Sequence, residues 1–170
     1  MSSIDDSSSL SKPESAARFI FLNQLAYGGL YKENNGLFKV PLGNTTISAK
    51  LQQNIKSASS YLLKNNVTIE CGDYETILRK NANKGDFVYL DPPYYPVKPT
   101  SYTKYNGKPF DQKRLAKVFK WLNTKGCLVL LSNSNCPEVK KLYEGFKIIE
   151  IEVVRGFGVG KVKELLIKNY

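Results

Sequence analysis

Histidine is absent from all 170 residues. It is the one side chain whose unperturbed pKa lies near neutrality, so histidine acid–base catalysis, Ser-His-Asp or Cys-His nucleophile machinery and histidine-ligated metal are excluded. Cysteine is sparse. Cys71, Cys127 and Cys136 are scattered, odd in number and without CxxC spacing, which reads as free thiols in a reducing compartment. No run of about 18 apolar residues exists to form a transmembrane helix. The polar start, Met1 to Leu10, lacks the basic-then-apolar order of a signal peptide. A cytoplasmic location is expected, with no membrane partner. Acidic side chains are in the minority, 15 against 25 Lys and Arg, for a net charge of +10. That balance favours polyanionic partners, nucleic acid first. On charge alone, a basic but unspecialised surface is the other reading.

What is present suffices for a globular fold: 42% of residues are hydrophobic and 24% charged, in a chain of ordinary single-domain length. Residues 1–14, rich in Ser and Asp, are expected to form a flexible leader. Ser15–Gln24 predicts a helix. Tyr27–Asn44 is broken by Gly28, Gly29, Gly36 and Gly43, and its Asn34-Asn35-Gly36 turn signal predicts a hairpin. Leu51, Ile55, Ala58 and Leu62 give Ile47–Lys64 near-helical spacing. A catalytic α/β segment is then expected over 67–170, after a helix-plus-hairpin segment over 15–66. Its strands are Val67–Cys71, Phe87–Leu90, Cys127–Leu131, Lys147–Val154 and Glu164–Ile167. Its helices are Tyr74–Lys80, Gln112–Thr124 and Pro137–Glu144. Such alternation predicts a mainly parallel sheet, and no internal repeat is visible.

In open α/β sheets, ligands bind beyond the carboxyl ends of strands. The most conspicuous such end is Asp91-Pro92-Pro93-Tyr94, directly after the apolar run FVYL. The prolines fix the backbone and bring no N–H, so their carbonyls are free to face a ligand. Asp91 adds a carboxylate acceptor and Tyr94 an aromatic plane. Together they suit a flat ring bearing an amine. Adenine's exocyclic amine is a poor nucleophile because its lone pair is delocalised into the ring. Accepting both amine hydrogens, at Asp91 and at the Pro92 carbonyl, draws the nitrogen towards a tetrahedral, more nucleophilic form. Tyr94 would stack on the base once it leaves the duplex, and stacking returns about 1–3 kcal/mol of the unpairing cost. Alignment with a sulfonium methyl supplies the rest, and no histidine relay or metal is needed. A rigid turn after a strand is the plainer reading of the same four residues. Cysteine attack on a cytosine ring would need a Pro-Cys nucleophile, and none of the three cysteines follows a proline.

FVYLDPPY at Phe87–Tyr94 resembles the catalytic motif of amino-methyltransferases, and the surrounding chain resembles the Dam-like (D12 class) DNA adenine methyltransferases. In that class a helix reading RF-x-x-LN leads into a hairpin of the form NGLYR…G-x-FNVP-x-G, matched here by Arg18–Asn23 and Gly28–Gly43. Ser101–Tyr105 (SYTKY), Leu128–Asn135 (LVLLSNSN) and Glu164–Tyr170 (ELLIKNY) also fit, so the resemblance covers about residues 15–170. It implies an α/β fold: a partial Rossmann-like class I methyltransferase sheet with an inserted, hairpin-containing DNA-recognition segment. It also implies methyl transfer from S-adenosylmethionine to a flipped adenine N6 in double-stranded DNA. Asp91, Pro92, Pro93 and Tyr94 would be catalytic, and Asp73 and Asp91 would meet the cofactor. Asp73 has a structural alternative as a helix N-cap.

Family members carry two glycine-bearing segments upstream of the hairpin, one of them a cofactor cradle resembling EPFxGxG. Nothing in Met1–Gln24 matches either, and Gly156–Gly160 (GFGVG) reads as a loop between strands. A complementing chain is therefore one expected partner, and a non-catalytic DNA-binding remnant is the alternative function. The residues expected to touch DNA are Tyr27, Leu30, Lys32, Asn34, Lys39, Pro41, Asn44, Tyr102 and Lys104. Lys98 and Lys108, with Tyr95 and Tyr105, extend a basic-aromatic rim. Gly28 stands where the family has Asn, Lys32 where it has Arg, Lys39 where it has Asn, and Asn44 where it has Arg. Lysine holds phosphate but cannot make arginine's forked contact to guanine, so the family's GATC target is not carried over.

Overall fold

The computed structural model describes residues 10–35, 37–44, 46–97, 104–105, 108–155 and 160–170. The chain divides into two compact units, 1–69 and 70–170, against an expected division after residue 66.

The first unit opens on α1 (Lys12–Leu25), which begins inside the stretch expected to be leader. The cause is local. Pro13 sits in the first turn, where its missing N–H costs nothing, and Glu14 accepts from the Ser11 backbone N–H at 2.9 Å and hydroxyl at 2.6 Å. Residues 1–9 of the leader lie outside the described residues. A single 3-10 turn at Tyr27–Gly29 follows, with Gly28 at φ 68°. Gly and Asn share this left-handed region, so Gly28 in place of the family's Asn preserves the backbone there. β1 (Glu33–Asn34) and β2 (Leu37–Phe38) pair antiparallel, Glu33 opposite Phe38, with Asn35 turning at φ 51°. The expected turn signal falls between these two strands, its Gly36 lying outside the described residues. Pairing extends through Lys39 N–H to the Lys32 carbonyl (2.9 Å) and a bridge between Ala26 and Leu42. Arg18 of α1, buried, donates to the Tyr31 hydroxyl at 2.8 Å and to Glu33 at 3.1 Å. α2 (Ala49–Lys64) follows, N-capped by Ser48.

The second unit contains α3 (Tyr74–Asn81), β3 (Phe87–Leu90), β4 (Lys104–Tyr105), β5 (Lys108–Pro109), α4 (Gln112–Lys125), β6 (Leu128–Ser134), α5 (Pro137–Leu142), β7 (Lys147–Arg155) and β8 (Gly160–Lys168). The main sheet runs β3-β6-β8-β7, while β4 and β5 form a separate short pair. Two expectations fail. The sheet is mixed, not mainly parallel: β3–β6 is parallel, whereas β6–β8 and β7–β8 are antiparallel. Arg155 stands opposite Gly160, so β7 returns directly into β8 as a hairpin, and a connection that short cannot make the crossover a parallel pair needs. Residues 67–71 form no strand, and Val67 and Ile69 stay exposed. The VTIEC composition is β-prone, but among the described residues it has no ladder partner, and propensity alone does not make a strand.

Alternate residues of the strands, Val88 and Leu90, Val129 and Leu131, Leu165 and Ile167, join one core with α3, α4 and α5. Phe119 sits at its centre, with Tyr143 and Phe146 edge-on at 5.2 and 4.9 Å between ring centroids. The intervening residues Phe87, Tyr89, Leu128 and Ile149 are exposed. β3 is an edge strand, paired among the described residues with β6 alone. Phe119→Ala should lower the free energy of unfolding by about 3–5 kcal/mol in a denaturant titration. A loss below about 1 kcal/mol would place the packing centre elsewhere.

Candidate active site

The parallel register decides what lies at the end of β3. Leu90 stands opposite Leu131, so the next residues, Asp91 and Ser132, meet just beyond the paired stretch. The Ser132 hydroxyl donates to Asp91 Oδ1 at 2.8 Å and accepts from the Tyr89 hydroxyl at 3.1 Å. Asp91 is exposed, and its other oxygen accepts from none of the described residues. The Pro92 carbonyl likewise accepts no hydrogen bond among the described residues. A carboxylate with one oxygen held and one open, beside an unused carbonyl, is an acceptor pair for a ligand that brings two hydrogens.

Tyr94 is half-buried, and its hydroxyl donates to Glu164 Oε2 at 3.1 Å. Burial raises the phenol above its usual 10.0; Ser132 works against the shift, and the charges of Glu164 and Asp91 add to it. The hydroxyl therefore stays protonated and serves as a donor at neutral pH. Beyond it, the Tyr95 N–H donates to Asn133 Oδ1 at 2.9 Å, and the Ser134 hydroxyl donates to the Tyr95 carbonyl at 2.7 Å. Gln112 Nε2, from the first turn of α4, donates to the Pro93 carbonyl at 2.7 Å. Ser132, Gln112, Asn133 and Glu164 are all buried polar groups with partners, as burial requires. None was singled out from sequence. The visible signal was Ser132-Asn133-Ser134 ending the apolar run LVLL, where polar residues in a buried strand call for partners.

Asp73 stands apart from this network. It is the N-cap of α3, accepting from Thr76 N–H at 3.1 Å, and Arg114 of α4 grips both its oxygens at 2.7 and 2.8 Å. Arg114 foremost holds its carboxyl down to about 2. The N-cap alternative is thus the role observed in the structure. Of the expected DNA contacts, Tyr27, Leu30, Lys32, Asn34, Lys39, Pro41 and Asn44 are all in the first unit, each at least partly exposed. Tyr27 N–H donates to the Pro41 carbonyl at 2.8 Å, which draws the two ends of the hairpin segment together. Leu42, also exposed, enlarges the apolar surface there. Tyr102 and Lys98 lie outside the described residues, as do residues 156–159 of the glycine run. Lys104 and Lys108 fall on the short β4–β5 pair.

Residues 3–157 match the family described as D12 class N6 adenine-specific DNA methyltransferase. This chain belongs to that family. It is 41% identical over 174 residues to a type II methyltransferase, M1.LlaDCHI, of Lactococcus lactis subsp. cremoris, covering 95% of this chain and 60% of the relative. It is 44% identical over 168 residues to the type II methyltransferase M.MjaIII of Methanocaldococcus jannaschii, covering 91% and 57%. A DNA adenine methylase of Vibrio cholerae is 31% identical over 160 residues, covering 87% and 56%. The chain therefore spans 60% or less of these relatives' length.

Within this D12 chain the Asp73–Arg114 link has a testable pH signature. The folded pKa is below the ordinary 3.8, so the link contributes stability above that value and loses it as pH falls towards about 2. Asp73→Asn keeps the cap and removes the charge. In unfolding titrations, the wild-type advantage over Asp73→Asn should be constant near neutrality and vanish on acidification. An advantage that persists at the lowest pH would show that the ion pair is not its source.

Proposed function

We propose that this chain carries the catalytic and target-recognition part of a site-specific DNA adenine-N6 methyltransferase, acting on an adenine turned out of double-stranded DNA. Family membership supports the reaction class. The observation that carries the reading is the end of β3: among the described residues, Asp91 has one oxygen held by Ser132 and no donor on the other, and the Pro92 carbonyl that follows it accepts no hydrogen bond. Two acceptors on consecutive residues match in number the two hydrogens of adenine's amine. They draw its lone pair out of conjugation and hold the nitrogen for attack. Tyr94, its hydroxyl tied to Glu164, offers a fixed ring face for the base to stack on.

S-adenosylmethionine, when bound, supplies an electrophilic methyl on a sulfonium centre. The donor set here fits that cofactor in part. Asp91 is an open acceptor for a cationic or amine-bearing ligand. Asp73 has both oxygens on Arg114, so a ribose hydroxyl would have to share them. No step in this reading calls for a metal, and the reaction needs no histidine. On the DNA side, Lys32 and Lys39 are neighbours joined through their backbones, suited to phosphates on one side of the hairpin.

Transfer of labelled methyl to adenine in duplex DNA tests the reaction, with the chain alone and with a relative's glycine-bearing segment supplied in cis or in trans. Asp91→Ala should abolish transfer and leave DNA binding intact. Activity within about tenfold of wild type, a change of only about 1.4 kcal/mol, would contradict the amine-polarising role. DNA binding with no transfer under either condition would favour a non-catalytic remnant. Replacing both Lys32 and Lys39 by Ala should weaken binding to all duplexes alike and reduce the salt slope by about one unit for each phosphate no longer neutralised. A weakening confined to one sequence, with the salt slope unchanged, would mean that these lysines read bases.

A further inference from the structure

Two consecutive prolines after Asp91 leave positions 92 and 93 without amide hydrogens, so neither can tie itself to a neighbouring carbonyl. Among the described residues, the segment beyond them is held from outside by two side-chain amides on different elements. Gln112, the first residue of α4, donates from Nε2 to the Pro93 carbonyl at 2.7 Å. Asn133, on β6, accepts the Tyr95 N–H at Oδ1 at 2.9 Å. The amides are wired to each other, Asn133 Nδ2 donating to Gln112 Oε1 at 3.0 Å. Asn133 has 0% of its surface exposed and Gln112 7%. Each amide commits its oxygen and one N–H to this circuit, and turning either over would set oxygen against oxygen or N–H against N–H. The circuit therefore has a single polarity.

The Pro92 carbonyl makes no hydrogen bond of its own among the described residues, so its place is set by what holds the segment on either side. Upstream, Ser132 holds Asp91. Downstream, Gln112 and Asn133 hold Pro93 and Tyr95. The fixed φ angles of two prolines leave little freedom between those anchors.

We infer that Gln112 and Asn133 are positioning residues that set the Pro92 carbonyl beside Asp91 for the incoming amine. The inference rests on the proposed methyl transfer. Neither amide is placed to touch the amine; each acts through the backbone it holds. In a site that aligns an amine with a methyl group, misplacement by about 1 Å costs on the order of a hundredfold in rate.

Gln112→Met keeps length and removes both hydrogen bonds. Its kcat for DNA methylation should fall about a hundredfold while KM for DNA stays within about threefold. Amide hydrogen exchange at Tyr95 should quicken while the Leu131 amide, on β6 opposite Ile167 of β8, stays protected. Gln112→Glu adds a pH readout. Its ionised carboxylate would repel the Pro93 carbonyl, whereas the protonated acid donates to it as the amide did, and burial beside an acceptor raises that acid's pKa. Its kcat relative to wild type should therefore rise as pH falls, which a merely space-filling role would not produce. If Gln112→Met does not fold, the Gln112→Glu profile decides. Unchanged Tyr95 exchange, a kcat within about twofold of wild type, or a flat relative pH profile would overturn the inference. A wild-type protein that transfers no methyl overturns the proposed function instead, and Tyr95 exchange still shows whether the amides hold the segment.

Discussion

Leu90 faces Leu131 across the parallel β3–β6 pair, and the chemistry at the end of β3 depends on that alignment. Val88, Leu90, Val129 and Leu131 turn to the helices, so Tyr89, Leu128, Leu130 and Ser132 share the other face. Tyr89 can then reach Ser132, and Ser132 can reach Asp91. A slip of one residue would put Leu131 on the open face and Ser132 into the core, with no partner for its hydroxyl. Burying Phe119, Leu122 and their strand partners thus also fixes where Asp91 sits. Stability and site geometry come from the same packing.

The first unit solves a different problem. Strands of two residues each are too short to hold a hairpin by ladder bonds alone. Arg18 supplies the missing constraint, reaching from α1 to Tyr31 and Glu33, while Asn23 donates to the Gly29 carbonyl at 2.5 Å. Burial accounts for a guanidinium here: a cation taken out of water must be paired, and the pair it demands sits on the hairpin. Such a pair adds little net stability, but it makes the hairpin's position conditional on α1. Tyr27, Leu30 and Leu42 are then left exposed on a segment that is braced from behind.

Much of this was legible in the residues. Asp73 marks a helix start by cap chemistry, and α2, α3 and α4 begin and end within two residues of the expected limits. FVYL and LVLL are strands because short apolar runs bounded by turn residues have few other uses. What failed was non-local. VTIEC has strand composition, but whether it pairs depends on a neighbour that its own sequence does not name. The placing of β8 between β6 and β7 is a topological choice, and it sets Ser134 opposite Glu164. The polar partners were missed for the same reason. Gln112 lies 19 residues from Pro93 in sequence, and Glu164 lies 70 from Tyr94. Only the fold brings them together.

Two carboxylates stand near Tyr94, and their donors are divided between them. Asp91 accepts a hydrogen bond from Ser132 and Glu164 accepts one from Tyr94. Had Tyr94 donated to Asp91 as well, both Asp91 oxygens would be occupied and the turn would offer a ligand only the Pro92 carbonyl. Glu164 is held on β8 opposite Ser134, which lets it draw the phenol away. It is buried while Asp91 is exposed, so one acid serves the protein and the other is left for solvent or ligand. Raising the Tyr94 pKa reinforces that division, because a phenol that keeps its proton keeps donating to Glu164. Among the described residues, the second oxygen of Asp91 has no donor while β8 supplies the partner of Tyr94. The strand order that the sequence did not disclose is what brings Glu164 to Tyr94.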